Sequence, residues 1–327
     1  MTTSVKKTPA VSKFLATPIP ERLWHYTSFA GLTGIVESNS IYATDVRFLN
    51  DTEELVHARH LLEQIAEEEK EKIDDLSPLL TNALKTDIKW LFETGPLNTN
   101  FLQVFVACFS EAKDQLSQWR GYSGKTTGVS IGFDLQKLRP SFQRNLVVFA
   151  PCIYEDSEKQ LLLREVVKEL FEGTAQLMRS VYAAGASSYK PEMAPEDGFE
   201  EWFDNSPECA EAIEQNKRNR MSAAFNLLHI AALMKHSAFR EEREWRLALP
   251  LLKGFNDQNI EMLFGAGISS LTPRTRQQLP SDIAPITEVI LGPGSHSCSI
   301  DAAEKYFATR NLQPRITQSN VPFRPTD

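Results

Sequence analysis

The sequence predicts an α+β protein whose sheet is interrupted by a large helical insertion. Short apolar, β-rich runs recur at 101–110 (FLQVFVACFS), 129–133, 146–154 and 286–291, the form taken by buried strands. Two long stretches with helical spacing, 157–182 and 207–236, come between these runs. The stretch 23–51, LWHYTSFAGLTGIVESNSIYATDVRFLND, reads as strand, single helix, strand. Strands and helices that cluster in this way, without regular βαβ alternation, belong to the α+β class.

The elements follow in order. Residues 1–19 are expected to be a flexible tail: the first 20 residues carry three lysines and three prolines, with no uninterrupted apolar segment for a signal peptide. A single α+β domain, 20–327, is expected next, with its core at about 20–156 and 237–325 and the insertion at about 157–236. Leu23-Trp24-His25-Tyr26-Thr27 is rich in the aromatic and β-branched residues of strands, Ser28 suits a helix N-cap, and Leu32, Ile35 and Val36 have helical spacing. Ile41–Thr44 starts a second strand, and Asn50-Asp51 reads as a turn before a charged helix that runs to about Asp74. A further helix opens at Ser77-Pro78 and stops before Gly95-Pro96. A short helix lies between the strands at 101–110 and 129–133, and 185–198 is a loop between the long helices. Glu244–Leu249 alternates as a strand, Glu261–Phe264 extends the sheet, 300–311 is helical, and Arg315-Ile316-Thr317 is a last strand.

Composition excludes several classes. Hydrophobic residues are 42% and charged residues 24%, as in a soluble domain with a sizeable core. The net charge of −8 argues against general affinity for nucleic-acid backbone, with Lys217-Arg218-Asn219-Arg220 and Arg139–Arg144 as local basic candidates. The four cysteines, 108, 152, 209 and 298, form no CxxC pair, so neither a zinc site nor a disulfide framework is expected. No run reaches the ~18 apolar residues of a membrane span. A cytoplasmic location without membrane contact is the expectation.

Polar residues at strands need a chemical reason. They cluster at His25-Tyr26-Thr27-Ser28, Ser110, Ser117–Tyr122 and Glu241–Arg246. Neither GxGxxG, GxxxxGK[ST] nor HExxH accompanies them, and no strand-to-helix serine elbow is expected. Glu54, His57 and His60 share a helix face but lack further ligands, so no metal site is expected. A histidine between Trp24 and Tyr26 is commonly a hydrogen-bonded core residue, and Glu244 could pair with a neighbouring arginine across the sheet. Trp119 and Trp245 suit core aromatics, and Ser110 and Ser117 suit turns and caps.

The chain from about Leu23 to Arg324 resembles a bacterial family of unknown function. The resemblance rests on five ordered blocks: His25–Ser28 (HYTS), Phe48–Asp51 (FLND), Cys108–Phe133 (CFS…LSxWRxY…IGF), Glu244–Arg246 (EWR) and Gly292-Pro293. The histidine strand, single helix and IYA strand also resemble the opening of the ADP-ribosyltransferase superfamily, which implies a mixed-sheet core and NAD as co-substrate. In that reading Glu244, His25 and Tyr122 are the catalytic residues. Glu244 would bond the nicotinamide-ribose hydroxyl, His25 the adenosine ribose, and Tyr122 would stack on nicotinamide. His25, Tyr26, Thr27, Ser28, Arg120 and Arg246 would line the NAD site, with Arg120 or Arg246 on the pyrophosphate. The chemistry suits these types, because a carboxylate stabilises the positive charge that builds on ribose as nicotinamide leaves. The implied function is ADP-ribosyl transfer to RNA, DNA or protein, as the toxin of an anti-phage or toxin–antitoxin system held by an antitoxin or inhibitory protein. The alternative is a non-catalytic nucleotide- or partner-binding module using the same cleft.

Overall fold

A computed structural model describes residues 7–49, 53–73, 78–94, 102–122, 127–138, 147–183, 210–252, 261–266, 271–280 and 285–322. The Asn50-Asp51 turn, Gly95-Pro96, Arg139–Arg144, the 185–198 loop and Cys209 lie outside these residues. The described elements are α1 (Pro9–Leu15), β1 (Arg22–Ser28), α2 (Phe29–Ser38), β2 (Ser40–Asp45), α3 (Glu53–Glu71), α4 (Pro78–Lys89), β3 (Leu102–Ser110), α5 (Leu116–Tyr122), β4 (Gly128–Asp134), α6 (Leu135–Leu138), β5 (Val148–Pro151) and α7 (Asp156–Ala183). They continue with α8 (Ala210–Leu233), β6 (Glu244–Leu252), β7 (Met262–Ala266), β8 (Leu271–Gln278), β9 (Ile286–Leu291), α9 (Ser299–Ala308) and β10 (Arg315–Gln318).

The strands form one ten-stranded mixed sheet, ordered β10-β9-β4-β1-β3-β2-β8-β7, with β6 on β3 and β5 on β6. The described pairs are antiparallel except β10 on β9. The opening unit folds as its residues dictate. Ser28 Oγ accepts from the Gly31 N–H at 3.1 Å to start α2, and Asn39 takes a left-handed φ of 46° to end it.

One position in the sheet shapes the site. The edge of β3 is shared: β1 pairs with it only at Trp24↔Ser110, and β2 pairs at Thr44↔Val106 and Asp45↔Phe105. Beyond Trp24, β1 leaves β3 and stays on β4 through Ser28↔Gly128. A wedge therefore opens between β1 and β3 at His25.

One finding modifies the sequence expectations. Residues 9–15, expected as tail, form α1: Thr8 caps it, Val11 is buried, and Glu165 of α7 accepts from the Ala10 N–H at 2.7 Å. The helices between residues 157 and 236 pack on the rest of the domain. Leu162, Val166, Leu170 and Phe171 of α7 share one core with Leu62 and Ile65 of α3 and Leu84 of α4, while Leu228 and Ala232 of α8 pack on Val104, Val106 and Ala248 of the sheet. The helices thus form a layer built from both sides of the first strands. On the other sheet face Leu23, Phe109, Ile131, Phe133, Trp245 and Leu247 make a second core.

Candidate functional site

The site is built where α8 hands the chain to β6. After α8, Met234 bridges to Ile153 and the Lys235 N–H donates to the Ile153 carbonyl, which anchors the lysine beside the sheet. A 3-10 turn, Ser237–Glu242, follows, with His236 Nδ1 accepting from the Ala238 N–H. Arg243 then takes a left-handed φ of 42°, an uncommon state for a non-glycine residue, and aims the chain into β6.

Register decides which side chains meet. Glu244 lies opposite Ser110, and Arg246 opposite Cys108, so all four face one way while Trp245 and Phe109 face the other core. On that first face Glu244 Oε1 accepts from Arg246 Nε at 2.7 Å, and Oε2 accepts from Lys235 Nζ at 2.5 Å. Lys235 Nζ also lies 2.9 Å from Glu242 Oε2. Arg246 Nη1 donates to the carbonyls of Ala232 and Met234 at 3.0 and 3.3 Å. The Glu244 N–H donates to Tyr154 Oη at 2.8 Å, and the Cys108 thiol hydrogen-bonds the Glu244 carboxylate. Two carboxylates and two cations thus balance in a place sealed from water, with Glu244 only 3% exposed and Arg246 and Lys235 1% each.

The electrostatics follow from that seal. Burial pushes the Glu244 carboxyl up, but Arg246 and Lys235 outweigh it and hold the pKa at about 2. Burial lowers Lys235, and Glu244, Tyr122 and Glu242 more than reverse this, so the ammonium is kept charged. Burial raises the Tyr122 phenol, the negative charge of Glu244 raises it further, and burial likewise raises the Cys108 thiol well above its ordinary value. At neutral pH the cluster therefore holds an ionised carboxylate beside a neutral phenol and a neutral thiol. Tyr122 is half-buried at the end of α5 within the field of Glu244, and the exposed Phe239 has its ring centroid 5.0 Å from Lys235 Nζ.

His25 approaches from the wedge. Its Nδ1 lies 2.8 Å from the Cys108 carbonyl, and its ring packs 5.8 Å from Phe109. A carbonyl accepts only, so Nδ1 carries the proton. Burial lowers the imidazole pKa, partly offset by this bond, so the ring is neutral at pH 7 and Nε2 is an acceptor. Alternation places His25 on the Phe109 side of the sheet and Glu244 on the Cys108 side. They are joined through the Cys108 backbone and do not face each other.

The remaining predicted residues divide cleanly. Tyr122 joins Glu244. Arg246 also joins it, but its guanidinium is engaged by the carboxylate and two carbonyls, not turned outward for a pyrophosphate. Tyr26 Oη donates to the Ala112 carbonyl and accepts from the Gln115 N–H, bracing the approach to α5. Thr27 lies against Gly31, Ser28 is the helix cap, and Arg120 is exposed on α5. The Glu241–Arg246 cluster already contained Glu242, whereas sequence reasoning missed Lys235, Tyr154 and the Cys108 thiol. Nothing in their spacing marks them, since they meet only through the β3–β6 register and the return of α8.

Other motifs resolve as structure. Gly128-Val129-Ser130-Ile131-Gly132 spells G-x-S-x-G, but all five residues lie within β4 and Ser130 is buried, so no exposed elbow forms. His57 lies 4.0 Å from Asp156 and His60 3.5 Å from Glu63, and among the described residues no group of three or more His, Cys, Asp or Glu could hold a metal. In the 217–220 segment Lys217 pairs with Glu214, Arg218 with Gln215, and Arg220 with buried Asp87. The described cysteines are free thiols, and no described helix is long and apolar enough to cross a membrane.

A family model described as a protein of unknown function (DUF2971) matches residues 118–247, less than half of the chain. The matched segment is similar to that family from α5 to β6 and contains Tyr122, Lys235, Glu242, Glu244 and Arg246, whereas His25 lies outside it. No curated protein matches the chain, and no solved structure does.

Proposed function

We propose that the protein is an NAD-dependent ADP-ribosyltransferase acting on a macromolecule, RNA, DNA or protein. The observation that carries this reading is a buried carboxylate at the start of β6 that Arg246 and Lys235 bond and hold ionised. In the proposed reaction the bond between ribose C1′ and the nicotinamide nitrogen breaks, and C1′ bonds to an acceptor oxygen or nitrogen whose proton passes to solvent. Positive charge builds on ribose as nicotinamide leaves, and a preformed anion in a dry site stabilises it most strongly. Lys235 occupies Glu244 Oε2 in the resting state, but Glu242 stands 2.9 Å away as its second partner. Lys235 can therefore pass to Glu242 and leave Oε2 to a ribose hydroxyl without stranding a buried charge. Tyr122 offers a ring for nicotinamide near Glu244, whereas His25 lies on the other sheet face and takes no ribose contact in this reading.

A role as a cytoplasmic toxin in anti-phage or toxin–antitoxin defence belongs to this proposal, as does an inhibitory protein docked on the helical layer. A second reading has its own observation: both Glu244 oxygens are occupied and the carboxylate is sealed, as in a structural ion cluster. It makes the protein a non-catalytic nucleotide- or partner-binding module.

Protein incubated with NAD labelled on the adenylate phosphate, together with total RNA, DNA or a protein lysate, separates the two. Transfer of label by wild type and not by a folded Glu244→Gln variant supports the transferase. Lack of transfer to every pool by folded wild type favours the binding module.

A further inference from the structure

The β2–β8–β7 end of the sheet carries a cationic, aromatic surface that the proposed reaction does not use. Thr44 lies opposite Arg274 and Tyr42 opposite Arg276, so these four side chains share one face of neighbouring strands. Across the next ladder Leu263 lies opposite Arg274, and Gly265 has no side chain to cover the arginine. A Cβ added at Gly265 would come within 2.6 Å of the Arg274 Cζ, so the guanidinium lies flat on the β7 backbone. Arg274 and Arg276 are half-buried, and the buried Nε of each has no hydrogen-bond partner among the described residues. Arg276 Nε lies 3.8 Å from a carboxylate oxygen of the exposed Glu261. Tyr42 is 37% exposed, large for an aromatic ring on a strand. In a chain of net charge −8, two half-buried guanidinium groups on one sheet face, each with an Nε lacking a hydrogen-bond partner among the described residues, form a site for an anion.

We propose that this face binds single-stranded nucleic acid, with Arg274 and Arg276 on successive phosphates and Tyr42 stacked on a base. Planar guanidinium forks match phosphate oxygens, and an aromatic ring on an open sheet accepts any base. A protein acceptor would supply neither the evenly spaced anions nor the stacking partner. The face lies on the same side of the ladder as Glu244, through Arg274↔Thr44↔Val106↔Ala248, roughly 20 Å away by strand spacing and rise. The proposal deepens the transferase reading by naming its acceptor class, but it is tested without NAD, so each can fail alone.

The test is fluorescence anisotropy of labelled single-stranded RNA and DNA oligonucleotides and of a duplex, titrated with the full chain at several salt concentrations. The RNA and DNA arms identify which source supplies the strand. Wild type is expected to bind a single strand more tightly than duplex. The Arg274→Ala/Arg276→Ala variant should lower the salt slope by about 1.4, two phosphates at about 0.7 each. Tyr42→Ala should weaken binding about 5- to 150-fold while Tyr42→Phe keeps it. Circular dichroism and melting confirm that each variant is folded. No binding by wild type, equal binding by the double-arginine variant, or binding of duplex alone would overturn the proposal.

Discussion

Replacing Glu244 by glutamine keeps its shape and removes its charge. Lys235 would keep its contact with Glu242, and Arg246 its bonds to the carbonyls of Ala232 and Met234, but both would lose the Glu244 charge. Arg246 and Lys235 hold the folded carboxyl at about 2, well below the usual carboxylate range, so the ionised carboxylate contributes on the order of 3 kcal/mol to stability. The same order follows from breaking a buried pair on one side. Because the folded pKa is depressed, this contribution is present above about pH 4.5 and disappears as pH falls toward 2. Urea denaturation of wild type and Glu244→Gln at pH 7, 5 and 3 reads it directly. The gap between the proteins should be about 3 kcal/mol at pH 7 and shrink by about 2 kcal/mol between pH 5 and 3. Lys235→Met should also destabilise strongly, and the double variant should lose less than the sum of the two. A gap under about 0.5 kcal/mol at pH 7, or one unchanged by acid, refutes the cluster as described.

Two further outcomes follow from the same contacts. His25 is held neutral by burial, so its contribution is present above its ordinary pKa of about 6.5 and is lost as pH falls below it; His25→Asn should flatten the fall of the urea midpoint between pH 7.5 and 5.5. Asp87 accepts from Thr174 Oγ1 at 2.6 Å and Arg220 Nε at 2.7 Å inside the helical layer, and Asp87→Ala should cost about 3 kcal/mol or more in chemical denaturation because it leaves Arg220 without its partner.

Much of the sheet was legible in the residues. The runs at 102–110, 128–134 and 286–291 are apolar enough to announce buried strands, and Ser28 announces the start of α2. β8 was not legible. Its residues, LTPRTRQQ, show no apolar alternation and contain Pro273, which counts against a central strand. Pairing with β2 and β7 overrides that local preference. α1 was hidden for the opposite reason, since seven residues next to a lysine-rich terminus gain their stability from packing on α7. Within the site, Glu242 and Glu244 stood out as polar residues at a strand, and Tyr122 came with the family resemblance. Lys235 did not stand out, because a short helix-to-strand return positions it. The relation of His25 to Glu244 depended on register: one residue of shift between β1 and β3 would have put both on one face.

The central claim is that the Glu244 cluster acts on NAD. Free nicotinamide released from NAD by the purified chain, with RNA, DNA and lysate fractions supplied as acceptors, tests it most directly. The account predicts release by wild type, and none by a Glu244→Gln variant shown by circular dichroism to be folded. A folded wild type that releases no nicotinamide with any acceptor, or an equal rate from the variant, would contradict it.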